Sequence, residues 1–260
     1  MRLTLLRKVC NHPYLFEGVE DPDLPLYGEH LVETSGKMVI LDKLLQRMKK
    51  GGHRVLIFSQ MTAQLNILED YLNMRQYTYC RIDGDTSIGL RDQYIEEFNA
   101  PESPKFVFLL SSRAGGLGIN LATADTVILF DSDWNPQVDL QAMDRAHRIG
   151  QTRPVLVYRF VCENTIEEKM IDRQLVKLKW ESLVIQKGRG LQKSKGLSKE
   201  ELEQMINYGA AEIFQAKQST INDADVDELV ARGLEKFQGR SKQIEEAIKK
   251  RLGAVGANGM

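Results

Sequence analysis

What this 260-residue chain has little of narrows its possible functions before any motif is sought. No stretch approaches the ~18 consecutive apolar residues of a membrane span, and the N-terminus carries no signal-peptide pattern, so no membrane partner is expected. Cysteine is scarce. Cys10, Cys80 and Cys162 stand far apart without a C-x-x-C pairing, which predicts buried thiols in a cytosolic or nuclear protein, with neither a disulfide framework nor a metal site. Neither sign of charge is in excess: the formal net charge is −1, so bulk charge announces no nucleic-acid partner. Two nucleotide-binding patterns are also missing. There is no G-x-x-x-x-G-K-[ST] phosphate loop, and no Asp-Glu pair ends an apolar strand to hold Mg²⁺.

What is present is an alternation of two periodicities. Short β-rich runs occur at Arg54–Phe58, Tyr79–Asp83, Phe106–Leu110, Val127–Phe130 and Val155–Val161. Between them, Met38, Leu41, Leu44, Leu45 and Met48 form one helical stripe, Leu65, Leu68 and Leu72 a second, and Ile95 with Phe98 a third. Near-continuous apolar strands separated by helices predict an α/β fold, a parallel sheet with helices on both faces. Ligands bind such sheets at the carboxyl ends of the strands. The loops there are Ser59–Met61, Gly84–Thr86, Ser111–Gly118 and Asp131–Pro136, all polar or glycine-rich.

Beyond the sheet the composition shifts. Residues 165 to 186 read as one long helix, opened by a capping box from Asn164 or Thr165 to Glu167 or Glu168. Arg173 to Lys195 holds seven Lys or Arg and one acid; Glu200 to Glu228 holds eight acids and one base. The acidic part reads as short amphipathic helices opening at Ser198 and at Asp223 or Asp225, which dock on the α/β body. The chain divides into a loop-rich lead-in over 1–35, the α/β lobe over 36–164, and a bracing helix with basic linker over 165–197. An acidic helical segment follows over 198–250, then a tail, 251–260, expected to be disordered.

Two segments carry chemistry. Arg113-Ala-Gly-Gly-Leu-Gly-Ile-Asn120 follows a strand; it is neither G-x-G-x-x-G nor a phosphate loop, yet three glycines beside Ser111, Ser112 and Arg113 permit close backbone approach to a phosphate. Gln141-Ala-Met-Asp-Arg-Ala-His-Arg-Ile-Gly-Gln151 places Gln141, Arg145 and Arg148 on one face if it is helical. Two guanidinium groups side by side repel unless an anion lies between them or water surrounds them.

Together these segments resemble the second RecA-like lobe of SWI/SNF-type chromatin-remodelling ATPases, most closely the imitation-switch (ISWI) family. Arg54–Met61 resembles motif IV, Arg81–Thr86 the segment after it, Leu110–Leu121 motif V, and Asp131–Gln151 the next motif with motif VI. Leu6–Gly18 resembles the segment leading into that lobe, and the likeness covers roughly residues 1 to 187. It implies a RecA-like fold with a C-terminal helical extension, nuclear localisation, and hydrolysis of ATP with Mg²⁺ between two lobes. The first ATPase lobe, with its phosphate loop and Mg²⁺-binding acids, would lie in the same full-length chain. Arg145 and Arg148 match arginine fingers, while Gln141, Gly116, Gly118 and Asn120 match nucleotide-side positions. In this chain alone both arginines are expected to be empty-handed and ATP turnover negligible.

The resemblance further implies double-stranded nucleosomal DNA as a partner. Ser59, Gly84, Ser112 and Arg113 match positions facing the DNA backbone, and Trp134 a position at the minor groove. Glu20, Asn66 and Asp70 match a site for the basic N-terminal tail of histone four; Asp21 is added from charge alone. His147 is expected to pack or to hydrogen-bond. The acidic segment resembles a regulatory element that restrains the motor. Two other readings stand beside this one: a lobe of another DNA translocase of the same superfamily, or a non-catalytic DNA- or histone-binding module.

Overall fold

The computed structural model describes residues 2–114, 118–148, 150–187, 226–228, 230–232, 235, 238–240 and 242–248. Gly116, the expected helix opening at Ser198, the opening residues Asp223 and Asp225, and the tail 251–260 lie outside the described residues.

Five parallel strands, β1 (Val55–Ser59), β2 (Tyr79–Ile82), β3 (Val107–Ser111), β4 (Thr126–Leu129) and β5 (Leu156–Arg159), form one sheet in the order β2-β3-β1-β4-β5. Alternate side chains feed two cores. On one face Val55, Ile57, Val107, Leu109 and Ile128 pack with the helices α3 (Gly36–Lys50) and α4 (Thr62–Met74). On the other, Leu56, Phe58, Phe108, Leu110, Val127 and Leu129 pack with Phe98 of α5 (Ile88–Asn99) and with Ala142 of α6 (Pro136–Met143). Double coverage explains why the inner strands read as unbroken apolar runs. The fold is RecA-like, as the sequence predicts.

The helices begin and end where local chemistry directs. The Ser35 hydroxyl accepts from the Met38 N–H and so caps α3, whose stripe Met38, Leu41, Leu44, Leu45 and Met48 is wholly buried. Gly52, at φ +68, turns the chain into β1. Thr165 Oγ1 accepts from Glu167 N at 3.2 Å, and the Glu167 carboxylate reaches back to Cys162 N at 2.9 Å, opening α7 (Ile166–Lys187).

Two expectations need correction. The lead-in is not simply loop: Arg2–Asn11 is a helix, α1, which Leu3, Leu6 and Cys10 pack against Ile166 of α7. A short α2 (His30–Glu33) precedes α3. The last strand is short and its Leu156 and Val157, which point to opposite faces, are both exposed, because β5 lies at the sheet edge. Helical residues among 226–248 do rest on the body. Asp227 makes a bidentate pair with Arg47 of α3 at 2.7 and 2.8 Å, and Arg240 pairs with Glu168 at 2.6 Å and Asp172 at 3.1 Å on α7. Val226 and Ile248 are buried.

Candidate functional site

The parallel register brings Ser59 level with Ser111, and Ile82 level with Leu110, so the loops after β1, β2, β3 and β4 gather along one edge. That edge carries the glycine-rich loop and, across from it, the arginine segment.

The arginines do not extend α6. The helix stops at Met143, and residues 144 to 146 form tightened turns, with Arg145 N donating to Ala142 O and Ala146 N to Met143 O. The cause is a long-range contact: the Arg145 carbonyl is taken by Leu121 N at 3.1 Å, and Ala146 is buried beneath the glycine-rich loop with Ile119 and Leu121. Gln141, on the last turn of α6, is exposed and bonds no described residue, so it does not share the arginines' setting. His147 is exposed and does not pack.

Both guanidinium groups meet backbone carbonyls. Arg148 Nη1 donates to Gly118 O at 2.9 Å and Ile119 O at 3.4 Å, and Arg145 Nη1 reaches Ile119 O at 3.5 Å. Gln151, whose role spacing did not reveal, closes the clasp with bonds to Ala124 O at 2.7 Å and Ala146 O at 3.2 Å. Arg145 is buried, and its Nε lacks a hydrogen-bond partner among the described residues. Burial first, and then the Arg148 charge, push the Arg145 guanidinium below its usual pKa. Gly118 is exposed at φ +70, and a Cβ there would meet nothing within 4 Å. Asn120 is exposed; its side-chain oxygen accepts from Ala122 N at 3.3 Å. An anion at this edge would meet the exposed Arg148 guanidinium beside the buried Arg145 charge, and a planar guanidinium suits phosphate oxygens.

Along the same edge, Gly84 is exposed with open space around its Cα. Its turn is preset: the Asp83 carboxylate accepts from Asp85 N at 3.1 Å and Thr86 Oγ1 at 3.0 Å, and Arg91 bonds Asp83 O and Thr86 O. Burial opposes the charge on Asp83, but Arg81, Thr86 and the Asp85 N–H outweigh it and hold the carboxyl below its usual range. Arg113 is exposed and Ser112 half-buried, with Ser112 N on Ser59 O at 3.0 Å.

Ser59 departs from expectation. It is fully buried, and its hydroxyl donates to Asp131 Oδ2 at 2.7 Å, so it offers no side chain to a ligand here. Asp131 also accepts from Asn11 Nδ2 at 2.8 Å and Gln60 N at 2.8 Å. Lys37 Nζ then joins Asn11 Oδ1, Phe130 O and Glu167 Oε1 at 2.9, 2.9 and 2.6 Å. Trp134 likewise is no free ring: it is half-buried against the cluster of Cys10 and Ile166. Its loop is pinned by Gln174, which donates to Asp133 O and to Asp139 Oδ2, and by Lys177 on Asn135 Oδ1 at 3.0 Å. Buried Asp131, Asp139, Lys37 and Gln174 were missed because their partners lie up to 130 positions away.

A second set of predicted residues gathers around α4. Asn66 is exposed and Asp70 half-buried one turn on; Glu20 and Asp21 are exposed. Burial, then the charges of Glu69 and Glu20, push the Asp70 carboxyl above its usual pKa, with Arg81 opposing. Glu20 and Asp70 therefore share one field, joined by Glu69, which spacing alone had not singled out. Glu69 is itself committed to Tyr79 Oη and Arg81.

Comparison with known proteins places this geometry. The family profile of the helicase conserved C-terminal domain matches residues 36–150. The human protein "SWI/SNF-related matrix-associated actin-dependent regulator of chromatin subfamily A member 1" is 56% identical over 245 residues, 94% of this chain and 24% of that protein. "ISWI chromatin-remodeling complex ATPase ISW2" of Saccharomyces cerevisiae is 60% identical over 235 residues, 90% of this chain and 21% of that one. A crystal structure of the C-terminal part of the Fun30 ATPase domain superposes with a TM-score of 0.58 at 30% identity, covering 82% of this chain and 63% of that one. The chain thus spans about a quarter of the length of these curated relatives. It belongs to the SWI/SNF-type chromatin-remodelling ATPases of the ISWI group, and its α/β body is their helicase C-terminal lobe.

Proposed function

We propose that this chain is the second motor lobe of a nuclear, ATP-dependent nucleosome-remodelling DNA translocase. The observation that carries the reading is the clasp between the Arg145–Arg148 turn and the Gly118–Ile119 carbonyls, which holds the exposed Arg148 guanidinium beside the buried Arg145 charge. Two cations held so close, in a chain without a phosphate loop, form half of a phosphate site. The other half, with its Mg²⁺-binding acids, would come from the first lobe of the full-length protein.

ATP is the substrate, and it supplies the phosphoanhydride that is cleaved. Arg148, exposed and held among the described residues only by carbonyls, would exchange those bonds for γ-phosphate oxygens when the lobes close. Arg145 stays anchored and adds a fixed positive field. Fixed donors of this kind stabilise charge that develops on the transferring phosphoryl group. Gly118 and Asn120 would present the nucleotide-side surface, with Gly116 in the same sequence segment, while Gln141 would reach nucleotide only from the exposed end of α6.

On the DNA side, Gly84, Ser112 and Arg113 would meet the sugar–phosphate backbone without reading sequence. Ser59 would act through Asp131, fixing the loop geometry, and Trp134 through an edge of its ring at the minor groove. Glu20, Asp21, Asn66 and Asp70 would receive the basic histone-four tail. The acidic segment would brace or restrain the lobe through its pairs with Arg47 and α7.

The test is DNA-stimulated ATP hydrolysis by the chain alone and by the chain covalently joined to its first lobe. Turnover is expected only in the joined protein; DNA-stimulated turnover by the 260 residues alone would overturn the assignment.

A further inference from the structure

Cys10 ends α1 and Cys162 lies between β5 and α7, 152 positions away. The fold brings them together. Cys162 Sγ donates to Cys10 O at 3.4 Å, and the two sulfurs and a Glu167 carboxylate oxygen all lie within 4.8 Å of one another. Lys37 Nζ, 2.6 Å from Glu167 Oε1, supplies positive charge to this cluster. Cys10 is 8% exposed and Cys162 half-buried. Neither belongs to the arginine clasp.

The two thiols differ. The neighbouring Cys162 thiol lowers the Cys10 pKa, burial and Glu167 oppose, and Thr165 and Lys37 assist. The neighbouring Cys10 thiol and burial push the Cys162 thiol up. A thiolate is the reactive form of cysteine, and a neighbouring thiol is what resolves its oxidised product.

We propose that Cys10 and Cys162 are a peroxide-reactive dithiol pair, forming a disulfide that ties α1 to the start of α7. The Cys10 thiolate attacks a hydroperoxide oxygen; an S–O bond forms, the O–O bond breaks, and the departing oxygen takes a proton from solvent. The sulfur is oxidised by two electrons and the peroxide is reduced. Cys162 then gives up its proton and attacks the sulfenic sulfur; the S–S bond forms, the S–O bond breaks, and the hydroxide leaves with that proton as water. Side-chain rotation must bring the sulfurs to about 2.05 Å. The bridge would fix α1 where Asn11 supports Asp131, beneath the loops at the working edge.

Cys80 is the internal control. It is buried in β2, its thiol is pushed up by burial, and it sits in the other core cluster. The experiment treats the whole chain with hydrogen peroxide, alkylates the remaining thiols and maps them by mass spectrometry. Cys10 and Cys162 are expected to be lost together as one intramolecular bridge that dithiothreitol reverses, with Cys80 still alkylated. In Cys162→Ser, Cys10 is expected to accumulate as a dimedone-trapped sulfenic acid; Cys80→Ser should bridge normally. Equal oxidation of Cys80, sulfinic acid at Cys10 without a bridge, or stoichiometric zinc capture that blocks peroxide would each overturn the pair.

Discussion

A buried arginine nitrogen without a partner costs a fold about 1–3 kcal/mol, and Arg145 Nε is such an atom. The Ile119 carbonyl that Arg145 touches is also held by Arg148, so removing Arg145 strands little. Arg145→Met, similar in length and uncharged, is therefore expected to leave urea stability unchanged or raise it by ~1–3 kcal/mol while depressing ATP turnover of the joined motor. A clear loss of stability would mean that the arginine holds the fold together. Asp70 makes a pH prediction. Its carboxyl titrates above the usual range because of burial, Glu69 and Glu20, so its charge disappears first as pH falls. Affinity for a basic tail peptide should weaken at a higher pH in the wild type than in Asp70→Asn. For folding the sign is opposite to that of Asp83, whose lowered pKa contributes stability above the ordinary carboxylate range that is lost as pH falls through its folded value.

At the scale of elements, the sheet and its helices hang on a buried polar network as much as on the apolar faces. Lys37 on α3 joins Asn11 of α1, the end of β4 and Glu167 of α7. Removing one partner of such a buried pair leaves an uncompensated charge, so Lys37→Ala is expected to cost ~3–5 kcal/mol in urea unfolding. Burial opposes the Lys37 charge, but Glu167 and its neighbours raise the pKa above the usual lysine value. This contribution is complete below that usual value and fades as pH rises through the raised one. The strands and α3, α4 and α7 were legible because a period of 2 or 3.6 is local information: Met38 to Met48, or Val55 to Phe58, declare their faces within one window. The end of α6 was not. Arg145 leaves the helix because Leu121, 24 positions earlier, takes its carbonyl, and no local pattern announces that. The same holds for Ser59, which reads as a polar loop residue until Asp131 is seen to take its hydroxyl. The residues of the clasp were legible as types and spacing; their mutual hold was not.

For the whole molecule, the described C-terminal helical residues meet the lobe largely through exposed ion pairs, Asp227 with Arg47 and Glu245 with Lys179 among them. Such pairs contribute little individually and weaken with salt. Raising salt should therefore speed proteolysis between residues 226 and 248 before it affects the sheet, as limited digestion would show; uniform protection would mean that Val226 and Ile248 alone hold the segment. On the proposed function the lobe would be functionally incomplete although its sheet is packed: cationic groups lie at its edge, and the sequence holds no phosphate loop. The most direct measurement is kcat for DNA-stimulated ATP hydrolysis in the joined two-lobe protein carrying Arg148→Ala. Arg148 is exposed and, among the described residues, its side chain is bonded only to carbonyls, so the variant should fold normally. The account predicts that kcat falls ~10³-fold or more with urea stability unchanged. An undiminished kcat in a folded Arg148→Ala protein would contradict it.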